Sequence, residues 1–173
     1  MTDRRGALRE ALAERILVLD GAMGTMIQAH GLGPADFGGS EYEGCNEFLN
    51  LTRPDVIFGI HTAYFEAGAD VVSTNTFGCA PYVLGEYGLA ERVHEITRAG
   101  ARIAREAAGD RFVLGAMGPS TRSICVTRNV TFDEVRAAYA LQARALIEGG
   151  VDALLLETAQ DTLNLKADRK SVV

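Results

Sequence analysis

Two carboxylates stand where a parallel α/β fold does its chemistry. Asp20 ends the apolar run Ile16-Leu-Val-Leu19, and Glu157 ends the run Ala153-Leu-Leu-Leu156. Two further runs, Asp70-Val-Val72 leading into Ser73-Thr-Asn75 and Phe112-Val-Leu114 stopping at Gly115, have the same form. In such folds, polar residues at the C-terminal tips of the strands face the site. The tips here offer Asp20, Asn75, the turn Gly115–Gly118 and Glu157. Carboxylates on the first and fourth runs could converge on a cation, because a buried carboxylate without a partner is costly. A ligand ammonium is the natural candidate. The main-chain amides of Gly21 and Ala22 could take an anion beside it, since glycine lets a ligand approach the backbone closely. An amino acid carries both charges at that spacing. The competing reading, equally open on these residues alone, makes Asp20 a turn cap and gives Glu157 an arginine partner.

Other chemistries find less support. Gly21-Ala-Met-Gly24 lacks the spacing of a dinucleotide fingerprint, and there is no phosphate-loop sequence. His30, His61 and His94 form no metal-ligand pair, and the helical patterns around His61 and His94 predict positions facing solvent or the edge of the core. Cys45, Cys79 and Cys125 are scattered and odd in number, which predicts reduced thiols rather than a disulfide framework. Cys79 and Cys125 lie near the second and third strand tips. With no C-x-x-C or adjacent pair, the chain is not expected to hold zinc on its own.

The elements that position these residues are legible from periodicity. Each apolar run is short and bounded by polar or glycine residues, as expected of a strand buried on both faces. Leu8, Ala11 and Leu12 predict a lead-in helix. Val56, Ile60, Ala63 and Ala67 predict one helical face after Pro54. Residues 91–108 read as a helix with Val93, Ile96 and Ile103 inward. Thr131 and Glu134 make a capping box for a helix carrying Val135, Tyr139, Leu146 and Ile147. Gly68, Gly109 and Gly149-Gly150 fall where helices should end, and another helix begins at Leu163. This alternation of strands and helices implies a parallel sheet with right-handed crossovers, either doubly wound or a (β/α)₈ barrel. Internal similarity favours the barrel. Glu66-Ala-Gly-Ala-Asp70 matches Glu148-Gly-Gly-Val-Asp152, and Gly-Ala-Met-Gly occurs at 21–24 and again at 115–118, each time placed just after a strand. The stretch from Gly21 to about Arg53 is a long loop at the functional end.

A formal net charge of −6 argues against nucleic acid or an anionic membrane as partner, because both reward a basic face. The charged N-terminal residues do not form a signal peptide, and no apolar run is long enough to span a membrane, so a cytoplasmic protein is expected.

Several stretches carry a family resemblance. They are Leu19-Asp-Gly-Ala-Met-Gly-Thr-Met-Ile-Gln28, Gly44-Cys-Asn-Glu-Phe-Leu-Asn-Leu-Thr-Arg-Pro-Asp-Val56, the segment 61–78 (His61 to Gly78), Leu114-Gly-Ala-Met-Gly-Pro119 and Glu157-Thr-Ala-Gln-Asp-Thr-Leu-Asn164. Together they span roughly residues 15 to 167, and the chain resembles the homocysteine-binding barrel domain of the cobalamin-dependent methionine synthases. That resemblance implies a TIM barrel of the (β/α)₈ family with only its first four β/α units present, a half-barrel over residues 1–173 ending in an atypical tail, Asp168 to Val173. It implies homocysteine as substrate, gripped by Asp20, the Gly21-Ala22 amides and Glu157, with Asn75 beside them. It also implies zinc held by three cysteines that activates the sulfur, methylcobalamin recharged from methyltetrahydrofolate as donor, and cobalamin- and folate-binding modules as partners. In the family those cysteines lie on later strands, which the resemblance puts beyond Val173, so Cys45, Cys79 and Cys125 are not they. The expected consequence is a chain that binds neither cofactor and is inactive alone. The alternatives are a betaine- or S-methylmethionine-dependent relative, or a non-catalytic half-barrel that self-associates.

Overall fold

The structure, a computed structural model, describes residues 4–126 and 129–170. Its sheet has three parallel strands in the order β1 (Val71–Ser73), β2 (Phe112–Met117) and β3 (Ala153–Leu156). Val71 is in register with Phe112, and Leu114 with Ala153. Parallel neighbours need a long crossover, and helices supply it here. These are α6 (Val93–Ala108) between β1 and β2, and α7 (Phe132–Gly149) between β2 and β3.

The run expected to form the first strand pairs more sparingly. Val18 O accepts from Asp70 N at 2.8 Å and from Val71 N at 3.2 Å, and Asp20 N donates to Val71 O at 2.9 Å. Only Leu19 makes a bridge, to Val71. This run lies outermost, with Ile16 89% and Val18 55% exposed, so burial does nothing to extend the pairing. At the other side, every residue of β3 is half-exposed. Burial on both faces therefore holds for the inner positions Val72 and Val113, both fully buried, and fails at the two flanks. β2 also runs further than its sequence predicts. Gly115, Ala116 and Met117 are strand rather than turn, so the second Gly-Ala-Met-Gly does not mirror the first, which leads into helix α2 (Met23–Ala29).

The helical segments form where periodicity places them. α1 is Arg4–Glu14, and α4 is Pro54–Glu66 with Pro54 in its first turn, where a missing N–H costs nothing. The buried face of α4 is Val56, Ile57, Ile60, His61 and Phe65. Ala63 and Ala67 lie outside, because the larger side chains one position away take the core. His61 is thus fully buried, contrary to expectation, and burial lowers its pKa to about 4, so its ring is neutral. His94 is exposed and contacts Glu148 at 2.9 Å. The capping box is present: Thr131 Oγ1 accepts from Glu134 N at 3.2 Å, and Glu134 Oε2 accepts from Thr131 N at 2.7 Å. Val135, Tyr139 and Leu146 are buried, whereas Ile147 is 46% exposed. Gly109 and Gly150 cap α6 and α7, and Gly68 lies one residue beyond the α4 cap. α8 (Thr162–Arg169) starts from Asp161, whose side chain accepts from Leu163 N and Asn164 N. The expected tail is therefore not a separate segment at its start, because α8 takes in Asp168 and Arg169, with Asp168 buried. The rest of that tail, from Ser171 to Val173, lies outside the described residues.

The longer internal repeat has a physical meaning. Asp70 precedes β1, and its carboxylate accepts from Val18 N at 2.8 Å while pairing with Arg15. Asp152 precedes β3, and its carboxylate accepts from Val113 N at 2.8 Å while pairing with Arg4 and Arg105. Each aspartate receives a main-chain N–H of the neighbouring strand and carries an arginine. The arginines hold both carboxyls below the usual range against the opposing effect of burial.

The tightest helix crossing is α6 on α7. A Cβ placed on Gly149 would lie 2.3 Å from Ala101 Cβ, so only glycine fits. Gly149→Ala is expected to cost about 1–3 kcal/mol through overpacking, read as a lower urea midpoint with unchanged slope. Gly33→Ala, at a position with nothing within 4 Å, is expected to leave the midpoint where it is.

Candidate functional site

The C-terminal ends of the Leu19 run, β1, β2 and β3 open on one cavity of about 470 Å³. All five residues expected at the site line it: Asp20, Gly21, Ala22, Asn75 and Glu157. Asp20 arrives through the pairing of its own run with Val71. Its carboxylate is then anchored on β1, where Oδ2 accepts from Ser73 N and Oδ1 from Ser73 Oγ, both at 3.0 Å. Glu157 follows β3, with its N–H donating to Met117 O at 3.2 Å. The next residue, Thr158, has φ +59°, a left-handed conformation that is strained for a β-branched side chain. Gly21 and Ala22 are exposed at the cavity. Space at Gly21 is limited, because a Cβ there would meet Tyr64 Oη at 3.1 Å, and that hydroxyl donates to Ala22 O.

Asn75 reaches the cavity in a different capacity from its neighbours. Its side-chain NH₂ donates to Asn46 O at 2.8 Å and to Asn50 Oδ1 at 3.1 Å, and its carbonyl accepts from Asn50 Nδ2. These bonds pin the segment after Gly21 to the end of β1. That segment is not a bare loop: it contains α2, two short 3₁₀ turns and α3 (Leu49–Thr52). Ile27, Phe37 and Leu49 bury it against Val56, Ile57 and Ile60 of α4.

Two cavity residues were not anticipated. Ser73 appears in the sequence only as part of a polar run after an apolar one, and its pairing with Asp20 depends on strand register. Glu47 lies within a family-like motif, and its Oε1 accepts from Gly78 N at 2.7 Å. Three carboxylates therefore share the cavity. Burial pushes Asp20 up to about 6, with the two hydrogen bonds from Ser73 opposing and the charge of Glu157 adding to the rise. Burial also raises Glu157 and Glu47. The arrangement is starved of positive charge, which is what a bound ammonium would supply.

The cysteines do not compose a metal site. Cys45 and Cys79 are buried, and burial pushes the Cys45 thiol up to about 11 and the Cys79 thiol well above its ordinary value, so neither is a ready thiolate. Cys125 is exposed in the loop after β2, near Asp161. Among the described residues no three His, Cys, Asp or Glu side chains are grouped to hold an ion. No helix there is long and apolar enough to cross a membrane.

A parallel sheet crossed by helices, with an acidic cleft at its C-terminal tips, defines an α/β fold consistent with part of a barrel. The chain belongs to the homocysteine S-methyltransferase family, whose sequence model matches residues 17–172. It is 47% identical over 167 residues to the methionine synthase of Mycobacterium tuberculosis H37Rv and 48% identical over the same length to that of Mycobacterium leprae. In both cases the match covers 92% of this chain and 14% of the relative. Its fold matches crystal structures of the homocysteine methyltransferase MmuM from Escherichia coli. The TM-score is 0.78 for the metallated form and 0.77 for the oxidised form, at 23% identity, over 95% of this chain and 62% and 61% of those chains.

The carboxyl of Asp20 has a folded pKa above its unfolded value near 4. It therefore stabilises the fold when protonated, fully below about pH 4, and that contribution is lost as pH rises through about 6. Carbon-13 NMR of the Asp20 carboxyl is expected to show a midpoint near 6, moving down in Glu157→Gln as the like charge is removed. An unmoved midpoint would show the two groups to be electrically independent.

Proposed function

We propose that this chain supplies the amino-acid-gripping part of a methionine-synthase-type homocysteine S-methyltransferase and comprises the first four β/α units of its barrel. The observation that carries the reading is the meeting of Asp20 and Glu157 in one cavity, both destabilised as anions and neither ion-paired among the described residues. The α-ammonium of homocysteine sits between the two carboxylates. Its α-carboxylate takes the Gly21 and Ala22 amides, and its thiol extends into the remaining space of the cavity. Identity of 47% and 48% to two methionine synthases favours methylcobalamin, recharged from methyltetrahydrofolate on other modules, over betaine or S-methylmethionine as donor. A cytoplasmic location fits this role.

When bound, the zinc of this family activates the homocysteine sulfur. The cysteines of this chain do not fit that ion, two being buried as protonated thiols and the third lying apart. On this reading the zinc ligands belong to sequence beyond Val173. The work of the residues present is binding and orientation. Ser73 holds the Asp20 carboxylate in place through two hydrogen bonds, the Asn75–Asn46–Asn50 set fixes the wall opposite, and Thr158 sets the turn that follows Glu157.

Isothermal titration of the chain with L-homocysteine tests the grip. Charge-assisted hydrogen bonds contribute about 1.5–3 kcal/mol, so Asp20→Asn and Glu157→Gln are each expected to weaken binding roughly tenfold or more. 4-Mercaptobutyrate, which lacks the amino group, is expected to bind weakly and equally to all three proteins. Full homocysteine affinity in the double variant would sink the assignment. With zinc and methylcobalamin added, the chain alone is expected to show no turnover.

A further inference from the structure

A second cavity, of about 260 Å³, lies between the tips of β2 and β3, the loops that follow them, and α8. Glu157 lines both this cavity and the first one. Met117, Leu156 and Leu165 give it an apolar wall. Several of its polar side chains are occupied. Tyr139 Oη accepts from Ser120 N and donates to Gly118 O. Asn164 donates to Arg122 O at 2.6 Å and to Ser120 Oγ, and accepts from Ile124 N. Asp161 accepts from Ser123 Oγ, Cys125 N and Leu163 N. The side chains of Arg122, Glu157, Gln160 and Asp168 have no hydrogen bond among the described residues, and of these four Asp168 alone is buried. It reaches the cavity from α8, is only 5% exposed, and among the described residues its carboxylate has no hydrogen bond or ion pair.

We propose that this second cavity binds a small organic cation, a primary ammonium on a short apolar chain, with Asp168 as its counter-ion. An unpaired buried carboxylate is costly, and a charged donor seated against it removes that cost. The lining carboxylates Asp168, Glu157 and Asp161 outnumber the one cationic side chain, Arg122, which is exposed, and this disfavours an anion. A hydrated divalent metal would need several oxygen ligands, whereas a single buried, uncommitted carboxylate beside methionine and leucine walls suits an alkylammonium better. The chemistry is independent of what occupies the first cavity. Burial alone raises Asp168 to about 7, so its charge is available above neutrality.

Calorimetry at pH 8 with n-butylammonium, and with n-butanol as the neutral counterpart, tests this. The unmodified chain is expected to bind the amine at least tenfold more tightly than the alcohol. In an Asp20→Asn background, which removes an ammonium partner from the first cavity, the preference should persist, and adding Asp168→Asn should abolish it. The charged and titratable groups facing the cavity are Tyr139 from α7, Arg122 from the loop after β2, and Glu157 and Asp161 from the β3 end. In the unmodified chain, the NMR titration midpoint of the Asp168 carboxyl should fall from about 7 when butylammonium is added, a readout that does not depend on the variants folding. No preference for the amine in the Asp20→Asn background, an undiminished preference when Asp168→Asn is added to it, or an unmoved Asp168 midpoint would each overturn the assignment.

Discussion

The site depends on the way residues 18–20 lie along β1. Asp20 N donates to Val71 O, and the same residue then turns its carboxylate onto the amide and hydroxyl of Ser73 two positions further along. Because β1, β2 and β3 are parallel and in register, everything that follows their ends emerges on one side of the sheet. Glu157, far away in sequence, is thereby delivered opposite Asp20. Antiparallel pairing anywhere in this series would send one of the two carboxylates to the other end. The aspartates at the opposite ends of the strands, Asp70 and Asp152, hold that register by taking main-chain N–H groups from the neighbouring strand.

The two ends of the sheet treat buried carboxylates differently, and the contrast is informative. Asp70 and Asp152 are matched by arginines and hydrogen bonds, and their pKa values fall. Asp20, Glu47 and Glu157 are half-buried with hydrogen-bond donors at most and, among the described residues, no cation, and theirs rise. Ser73 offsets part of the desolvation of Asp20 without cancelling it. Charge left unbalanced in a folded protein reduces stability unless something else balances it. At the opposite end arginines already do so, whereas at the C-terminal end no cation among the described residues does, and that is the place the proposed ammonium takes. Strain at Thr158, beside Glu157, adds to the same pattern of cost concentrated where binding is proposed.

Much of this arrangement was legible in the sequence. Strand tips could be read because an apolar run ending in Asp or Glu is unusual, and helices because their periodicity and caps agree, as at Thr131 and Glu134. Burial at the flanks was not legible. The run Ile16–Leu19 looks as apolar as Phe112–Leu114, and only the neighbour on each side decides which becomes a full strand. The inner face of α4 went to Ile57, His61 and Phe65 over Ala63 and Ala67 because packing selects volume as well as spacing. Ser73 and Glu47 were invisible as site residues because each acquires its position from a hydrogen bond across the fold. Asn75 was found for its place at a tip, but its amide serves the wall of the cavity.

The same electrostatics bear on how the proposed chemistry is divided. An amino-acid substrate needs balanced charges at its α-carbon and an activated sulfur at its far end. The cavity is suited to the first requirement and unsuited to the second, because the acidic surroundings that favour an ammonium penalise a thiolate. Burial and the charge of Glu47 both push up Cys45 and Cys79, the two thiols nearest that carboxylate. A group that stabilises a sulfur anion must therefore approach from a direction where the carboxylates are remote. The side of the sheet beyond β3 and the outer edge of the Leu19 run present half-exposed strand and the exposed side chains of Ile16 and Val18. Residues meeting those edges could complete the cavity without being buried against its acidic wall, which keeps the grip on the amino acid and the activation of its sulfur on separate parts of one site.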